Sequence, residues 1–324
     1  MAITYTAYGP PEVLQFGEVP KPVPRDNEVL IRIRAASVNP LDWHFMRGTP
    51  YLVRLIAGWR RPKLTRLGVD AAGTVETVGR NVTQFRPDDE VFGSCRGTFA
   101  DYVCAAEERL VAKPANLSFA QAAAVPVAAI SALQALRGHG RIQPGQRVLV
   151  NGAAGGVGTF AVQIARALGA EVTGVCSTRN VDLVRSLGAS HVVDYTREDF
   201  THSVPRYDLI LDSVGNHSRS SLRRALTPGG TAVLVGGPNE GRWLGPMAGM
   251  FMAVASSWFT RRKLRPFLAH MKKTDLVVLQ DLLQAGKVTP VIDRSYPLSE
   301  VPSAIRYLEE GHARGKIVIM MAEA

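Results

Sequence analysis

Between Arg147 and Arg166 the sequence passes from a short apolar run, RVLVN, through Gly152-Ala153-Ala154-Gly155-Gly156-Val157-Gly158 into a helical run. A glycine loop between a strand and a helix gathers unpaired backbone N–H groups and the positive helix end at one point, which suits a pyrophosphate. Ala154, Gly155, Gly156 and Val157 are the backbone expected to meet it. Gly155 admits close approach of the phosphates, and Gly158 lets the helix pack on the strand. Against the pattern G-x-G-x-x-G, Ala153 stands in the place of the first glycine.

The second strand chooses between cofactors. A site for NAD usually carries Asp or Glu at the end of that strand, where it accepts hydrogen bonds from the ribose hydroxyls. Here Cys176 occupies the position, followed by Ser177, Thr178 and Arg179. No carboxylate stands there to repel a 2′-phosphate, and two hydroxyls and a guanidinium are available to bind one. NADPH is the expected cofactor, with Arg179 either on the phosphate or turned to solvent.

The elements that must position this loop follow from periodicity. EVLIRIRAASVN and AAGTVETVG alternate as half-buried strands do, and DDEVFGSCRGTFADYVCA reads as a strand pair around Gly97. The proline-dense stretch from Pro10 to Pro24 reads as loop or edge strand. AQAAAVPVAAISALQALRG is helical, with Pro126 near its start or at a kink. From Arg147 strands and helices alternate, and the strands are unbroken apolar runs, as a parallel sheet covered on both faces requires. Two amphipathic helices and a last strand, KIVIMM, close the chain.

With 324 residues, 46% hydrophobic and 20% charged, the chain suits one large domain or two ordinary ones, can bury a full core and has no disordered composition. Three scattered cysteines are too few for a disulfide framework or a structural zinc cluster, so a reducing, cytoplasmic setting is expected. The first residues lack the basic stretch and apolar core of a secretory signal. A formal net charge of +10 invites a nucleic-acid or membrane reading, but most arginines are dispersed and only Arg261, Arg262, Lys263 and Arg265 cluster. A basic solvated surface is expected, without a nucleic-acid partner. The apolar stretch 243–260, interrupted by Pro246, reads as a buried helix near the substrate or a subunit interface, with peripheral membrane contact as the rarer reading.

Several motifs together resemble the medium-chain dehydrogenase/reductase superfamily, and within it the zinc-free quinone oxidoreductase branch. They are AASVNPLDWHFMRG (35–48), LGVDAAGTVETVG (67–79), QAAAVPVAAISALQAL (121–136), the glycine loop, LGASHVVDY (187–195) and GHARGKIVI (311–319). The resemblance implies an α/β chain with a β-rich GroES-like catalytic domain formed from residues 1–124 and 268–324. A Rossmann domain with a doubly wound parallel sheet, residues 125–267, is inserted between them, and the cofactor lies in the cleft.

Zinc-dependent relatives carry a cysteine in the first motif and a His-Glu pair in the second. This chain has Asn39 and Val69-Asp70, so no catalytic zinc is expected. Without a metal to polarise a carbonyl, hydride addition to a quinone or an α,β-unsaturated carbonyl is the expected chemistry. The resemblance places Asn39 beside the nicotinamide, where it orients the cofactor amide or donates to the substrate oxygen, unless it merely bonds its own loop. Asp42 holds that loop. Tyr51 is a phenolic donor or a packing residue. Ser131 meets the nicotinamide, Tyr195 lies against the 2′-phosphate, and Gly215, Gly236 and Gly237 fall on the nicotinamide side. Lys316 contacts the cofactor or lies on a surface strand. A homodimer is implied as well. Two other readings stay open: an NADPH-binding sensor or RNA-binding scaffold, and an enoyl reductase of a biosynthetic pathway.

Overall fold

The computed structural model describes residues 1–202, 205–235 and 262–322. Gly236, Gly237, the stretch 243–260 and Arg261 lie outside the described residues. The chain divides into two compact units, one of residues 1–130, 271–286 and 290–324, the other of residues 131–270 and 287–289.

In the first unit the N-terminal strands are β1 (Ala2–Thr4), β2 (Gln15–Gly17), β3 (Glu28–Val38), β4 (Asp70–Val78), β5 (Glu90–Ser94), β6 (Tyr102–Ala106) and β7 (Leu110–Ala112). Helix α1 (Pro40–Arg47) follows β3, and α2 (Val53–Ala57) follows α1. α3 (Phe119–Ala123) is closed by a capping box between Ser118 and Gln121. α4 (Pro126–Leu133) starts at its proline, so Pro126 opens a helix and kinks none.

β3 is the spine of this unit. Its first half pairs with β6 and its whole length with β4, both antiparallel. The alternation in EVLIRIRAASV sends Val29, Ile31 and Ile33 into one core with Val75, Val91, Phe99 and Val103. β5 and β6 are both strands, but they do not pair with each other. β5 lies between β4 and β7, and β6 lies on β3. The expected hairpin around Gly97 is therefore a crossing between two places in the sheet. Local alternation gives no information on which neighbour a strand selects.

The second unit is a six-stranded sheet of β8 (Arg147–Asn151), β9 (Glu171–Cys176), β10 (His191–Asp194), β11 (Tyr207–Asp212), β12 (Leu226–Leu234) and β13 (Lys263–Pro266). The order is β10-β9-β8-β11-β12-β13, and every pair is parallel. Strand order reverses between β8 and β11, the place where doubly wound sheets bind ligands. Helix α5 (Gly156–Ala167) packs on β8 and β9, with Phe160, Ala161 and Ile164 fully buried. α6 (Val181–Ser186) covers β9 and β10, and α7 (Arg219–Ala225) covers β12 and β13. The basic cluster lies partly in β13 at the sheet edge, where Arg265 Nη1 donates to His139 O at 3.1 Å.

The chain then returns to the first unit through the helix Lys273–Gln284, β14 (Ile292–Pro297), the helix Val301–Glu309 and β15 (Lys316–Met320). β14 lies between the two amphipathic helices, where the periodicity announces no strand; it pairs parallel with β15, which runs antiparallel to β3. The units divide inside α4 and after His270, later in the chain than the 124/125 and 267/268 expected from the motifs. Two side chains explain the offsets. Asp70 Oδ1 accepts from Val127 N at 3.0 Å and ties the first turn of α4 to the first unit. Gln134 bonds both backbone groups of His270 and keeps that residue with the second. Residues 287–289 join the second unit because Gln163 bonds both the N–H and the carbonyl of Thr289.

Candidate active site

In the first unit, register brings polar residues from three strand ends together. Ser37 faces Asp70 across β3 and β4. Ile317 faces Val38 across β15 and β3, which sets Lys316 beside Asn39. The result is a buried polar cluster of Ser37, Asn39, Asp42, Asp70 and Lys316, each at most 4% exposed. Lys316 Nζ donates to Asn39 Oδ1 at 2.6 Å and to Val38 O at 3.1 Å, and lies 3.8 Å from Asp70 Oδ2. Asn39 Nδ2 donates to Asp70 Oδ2 at 2.9 Å and to Ser37 O at 3.3 Å. Ser37 Oγ donates to the same carboxylate oxygen at 2.8 Å.

Both amide hydrogens and the carbonyl oxygen of Asn39 are thus engaged within the first unit. Lys316 is no surface strand residue; its ammonium is sealed against Asn39 and Asp70. Its importance was legible only as a motif, since nothing local in GHARGKIVI shows that its partner stands at Asn39.

Asp42 works on the backbone. Its carboxylate accepts from Asn39 N at 2.8 Å and Gly68 N at 2.9 Å, which holds the start of α1 against the segment leading into β4. Burial pushes its carboxyl up to about 7, against the donation from those two N–H groups. Burial also pushes Asp70 up and Lys316 down, while their mutual attraction acts the other way on each. Three donors on Asp70 in addition to Lys316 fit an ionised carboxylate.

A pH dependence follows for Asp42. Its folded-state value lies above its unfolded one, so its contribution to stability is fully present below the ordinary carboxylate range and is lost as pH rises through about 7. Measured against Asp42→Asn by urea unfolding, the native chain should lose up to about 4 kcal/mol between roughly pH 4 and 7. Parallel pH profiles for the two chains would remove this assignment.

Tyr51 is half-buried at the start of the α2 segment, with the Arg54 guanidinium 4.8 Å from its ring centre.

In the second unit the glycine loop joins β8 to α5 as expected. Gly152 adopts φ +83°, and a Cβ there would meet Ser213 Oγ at 2.6 Å. Gly158 packs so closely that a Cβ would lie 2.0 Å from Gly152 O. Gly155 differs: a Cβ there would meet only Gly152 O, at 3.4 Å, so the space above its backbone is open. Gly155 caps α5, and the amides of Gly156, Val157 and Gly158 in its first turn have no intrahelical acceptor. Ala154 is buried beneath the loop.

Asp212, at the end of β11, holds the adjoining turn. Its Oδ1 accepts from Asn151 Nδ2, Val214 N and Gly215 N at 2.9–3.1 Å. Gly215 has φ +74° in that turn. Ser131 is buried in α4, 6% exposed.

Beyond β9, Thr178 and Arg179 are exposed, and Tyr195 is 58% exposed past the end of β10. The absence of an acid at the end of β9 is only half of the local electrostatics. Asp194, across from Cys176 on β10, accepts from Thr178 Oγ1 at 2.5 Å and from Thr196 N and Oγ1 at 3.0 and 2.7 Å. These donors hold its carboxyl below the usual range. The residues of β9 carry no sign of it, because the acid arrives from the neighbouring strand.

Comparison with known proteins agrees with both halves. Residues 25–115 match the alcohol dehydrogenase GroES-like domain, and residues 187–319 match the zinc-binding dehydrogenase family. The chain is 36% identical to the mouse mitochondrial NAD(P)H oxidoreductase RTN4IP1, covering 96% of this chain and 87% of that protein. It is 35% identical to tomato 2-methylene-furan-3-one reductase, covering 98% and 78%. The quinone oxidoreductase structure from Coxiella burnetii superposes with a TM-score of 0.86 at 32% identity, covering 99% of each chain. With its two folds, its glycine loop and its end-to-end likeness to these proteins, the chain belongs to the quinone oxidoreductase-like branch of the medium-chain dehydrogenase/reductase superfamily and is an oxidoreductase.

Proposed function

We propose that the chain is an NADPH-dependent, zinc-independent reductase acting on a quinone or an α,β-unsaturated carbonyl. The observation that carries the reading is the loop between β8 and α5. Gly152 and Gly158 are closed by packing, while Gly155 leaves open space beside unpaired helix-end amides. That arrangement fits a pyrophosphate. Mouse RTN4IP1 is named an NAD(P)H oxidoreductase, the Coxiella protein a quinone oxidoreductase, and the tomato protein a reductase of an enone.

When bound, a reduced nicotinamide supplies the hydride. Ala154, Gly155, Gly156 and Val157 hold the pyrophosphate through their backbone. Ser177, Arg179 and Tyr195 bind the 2′-phosphate; Asp194 stays ionised under its donors from Thr178 and Thr196, and the Arg197 guanidinium 3.7 Å away offsets part of its charge. Ser131 and Gly215 border the nicotinamide.

On the first unit, Asn39 acts as a positioning residue whose amide is locked by Lys316 and Asp70. Tyr51 holds the proton that the reduced acceptor takes up, with Arg54 beside its ring. The donor set does not fit zinc. An ammonium stands among Asn39 and the carboxylates, where a divalent cation would need negative charge, and neither imidazole nor thiolate joins them. Among the described residues no three His, Cys, Asp or Glu side chains gather as a metal site.

The test follows oxidation of NADPH and of NADH with panels of quinones, enones and enoyl thioesters. Turnover with NADPH on quinones or enones is expected. Preference for NADH would overturn the cofactor assignment, and an enoyl thioester as the best acceptor would move the protein to a biosynthetic enoyl reduction. Binding of NADPH without turnover would favour a sensor. Arg179→Ala should raise the KM for NADPH roughly 10- to 100-fold and leave that for NADH nearly unchanged, since it removes a charge-assisted phosphate contact. Equal effects on both cofactors would take Arg179 off the phosphate.

A further inference from the structure

The segment from Val53 to Lys63 reads VRLIAGWRRPK. Its apolar side chains are not buried: Leu55 is 67% exposed, Ile56 75% and Trp59 59%. They nevertheless sit on well-tied backbone. Gly58 N donates to Arg54 O at 2.8 Å, and Lys63 N donates back to Ala57 O at 2.7 Å. Tyr8 Oη donates to Gly58 O at 2.6 Å, and Arg54 Nε to Gly48 O at 2.9 Å. Gly58 has φ +116°, and a Cβ there would lie 2.2 Å from Arg61 O, so this reversal requires glycine. The segment is a knob pinned to the first unit, and its hydrophobic tip is held outward.

The charge along the segment is of one sign. From Trp43 to Val69 the chain carries Arg47, Arg54, Arg60, Arg61, Lys63 and Arg66 and not one Asp or Glu. Arg47 is paired with Glu309, and Arg54 is engaged as described. Arg60, Arg61 and Lys63 are exposed and make no ion pair among the described residues. A two-fold contact through this knob would set these cations against their own copies. An anionic lipid surface meets both features: phosphates pair with guanidinium and ammonium groups, and leucine, isoleucine and the amphipathic indole suit the headgroup–acyl boundary.

We propose that the Val53–Lys63 knob docks the protein on anionic phospholipid bilayers, with Leu55, Ile56 and Trp59 entering the interface and Arg60, Arg61 and Lys63 on the lipid phosphates. The inference does not depend on the cofactor or the acceptor. It assigns a peripheral contact: among the described residues no helix is long and apolar enough to cross a membrane.

The test is co-sedimentation of the full chain with phosphatidylcholine vesicles containing or lacking phosphatidylserine. Binding is expected only with phosphatidylserine and should fall as salt is raised. Leu55→Ser with Ile56→Ser, and separately Arg60→Glu with Arg61→Glu, should each reduce binding roughly tenfold or more, while Arg60→Lys with Arg61→Lys retains it. Thermal midpoints of these surface variants confirm that they fold. Equal binding to neutral vesicles, or undiminished binding by both disruptive pairs, overturns the proposal. So does a change in oligomeric state or acceptor KM with vesicle binding untouched, which would make the knob a subunit contact or an acceptor surface.

Discussion

Lys316→Met should cost the first unit about 3–5 kcal/mol and lower turnover while leaving NADPH binding in place. The substitution leaves the fully buried Asp70 without its cation and Asn39 Oδ1 without its 2.6 Å donor. An uncompensated buried charge is the expensive outcome, more so than the loss of the pair itself. The ends of β3, β4 and β15 meet at this point, so the strain falls on the start of α1, where Asn39 and Asp42 stand.

Asp70→Asn should be similarly damaging alone, because it strands the buried ammonium. Combining Asp70→Asn with Lys316→Met removes both charges, and the double variant should recover about 2 kcal/mol relative to the sum of the singles. The measurement is a double-mutant cycle in urea unfolding, with NADPH affinity read in parallel by fluorescence. Additive singles would show that Lys316 and Asp70 do not act as a pair. Loss of NADPH affinity in step with stability would show that the cluster serves the nucleotide unit instead.

The second large effect separates two glycines only three residues apart. Gly158→Ala puts a methyl 2.0 Å from Gly152 O and 2.8 Å from the Ala153 Cα, both backbone. Nothing flexible can yield, so the loop must shift, at a cost of about 1–3 kcal/mol or more, with cofactor binding lost. Gly155→Val has room: the only neighbour of the new Cβ is 3.4 Å away, and the backbone there, φ −84° and ψ 177°, is extended and open to any residue. The thermal midpoint should therefore hold, while the valine fills the space that phosphates need and weakens NADPH binding on the order of 100-fold. Calorimetric titration and thermal unfolding of the two variants decide it. Full NADPH affinity in Gly155→Val would remove the phosphate from this loop.

The parts legible in the sequence are those set by neighbouring residues. Alternation in EVLIRIRAASV names β3 and its buried face, because side-chain period follows from backbone geometry. The apolar runs of the second unit announce strands buried on both faces, and all six pair in parallel, as strands joined by helices do. The glycine loop was readable because a positive φ at Gly152 and a tight approach at Gly158 leave few other residues possible.

Pairing over distance was not legible. β5 and β6 alternate equally well whether they pair with each other or, as here, with different strands. Asp194 reaches Thr178 from the neighbouring strand β10, which the residues of β9 do not announce. The exposure of Leu55, Ile56 and Trp59 depends on what packs above them, which composition does not state.

By itself, then, the sequence determined most of the strands, the glycine loop, the family and the kind of cofactor to look for, all of which rest on local geometry and contiguous motifs. Only the tertiary structure decided that Lys316 locks Asn39 against Asp70, since those residues are brought together by the register of three strands drawn from both ends of the chain. A lysine on a strand and an asparagine in a loop carry no sign of each other until burial removes water and leaves each as the other's hydrogen-bond partner.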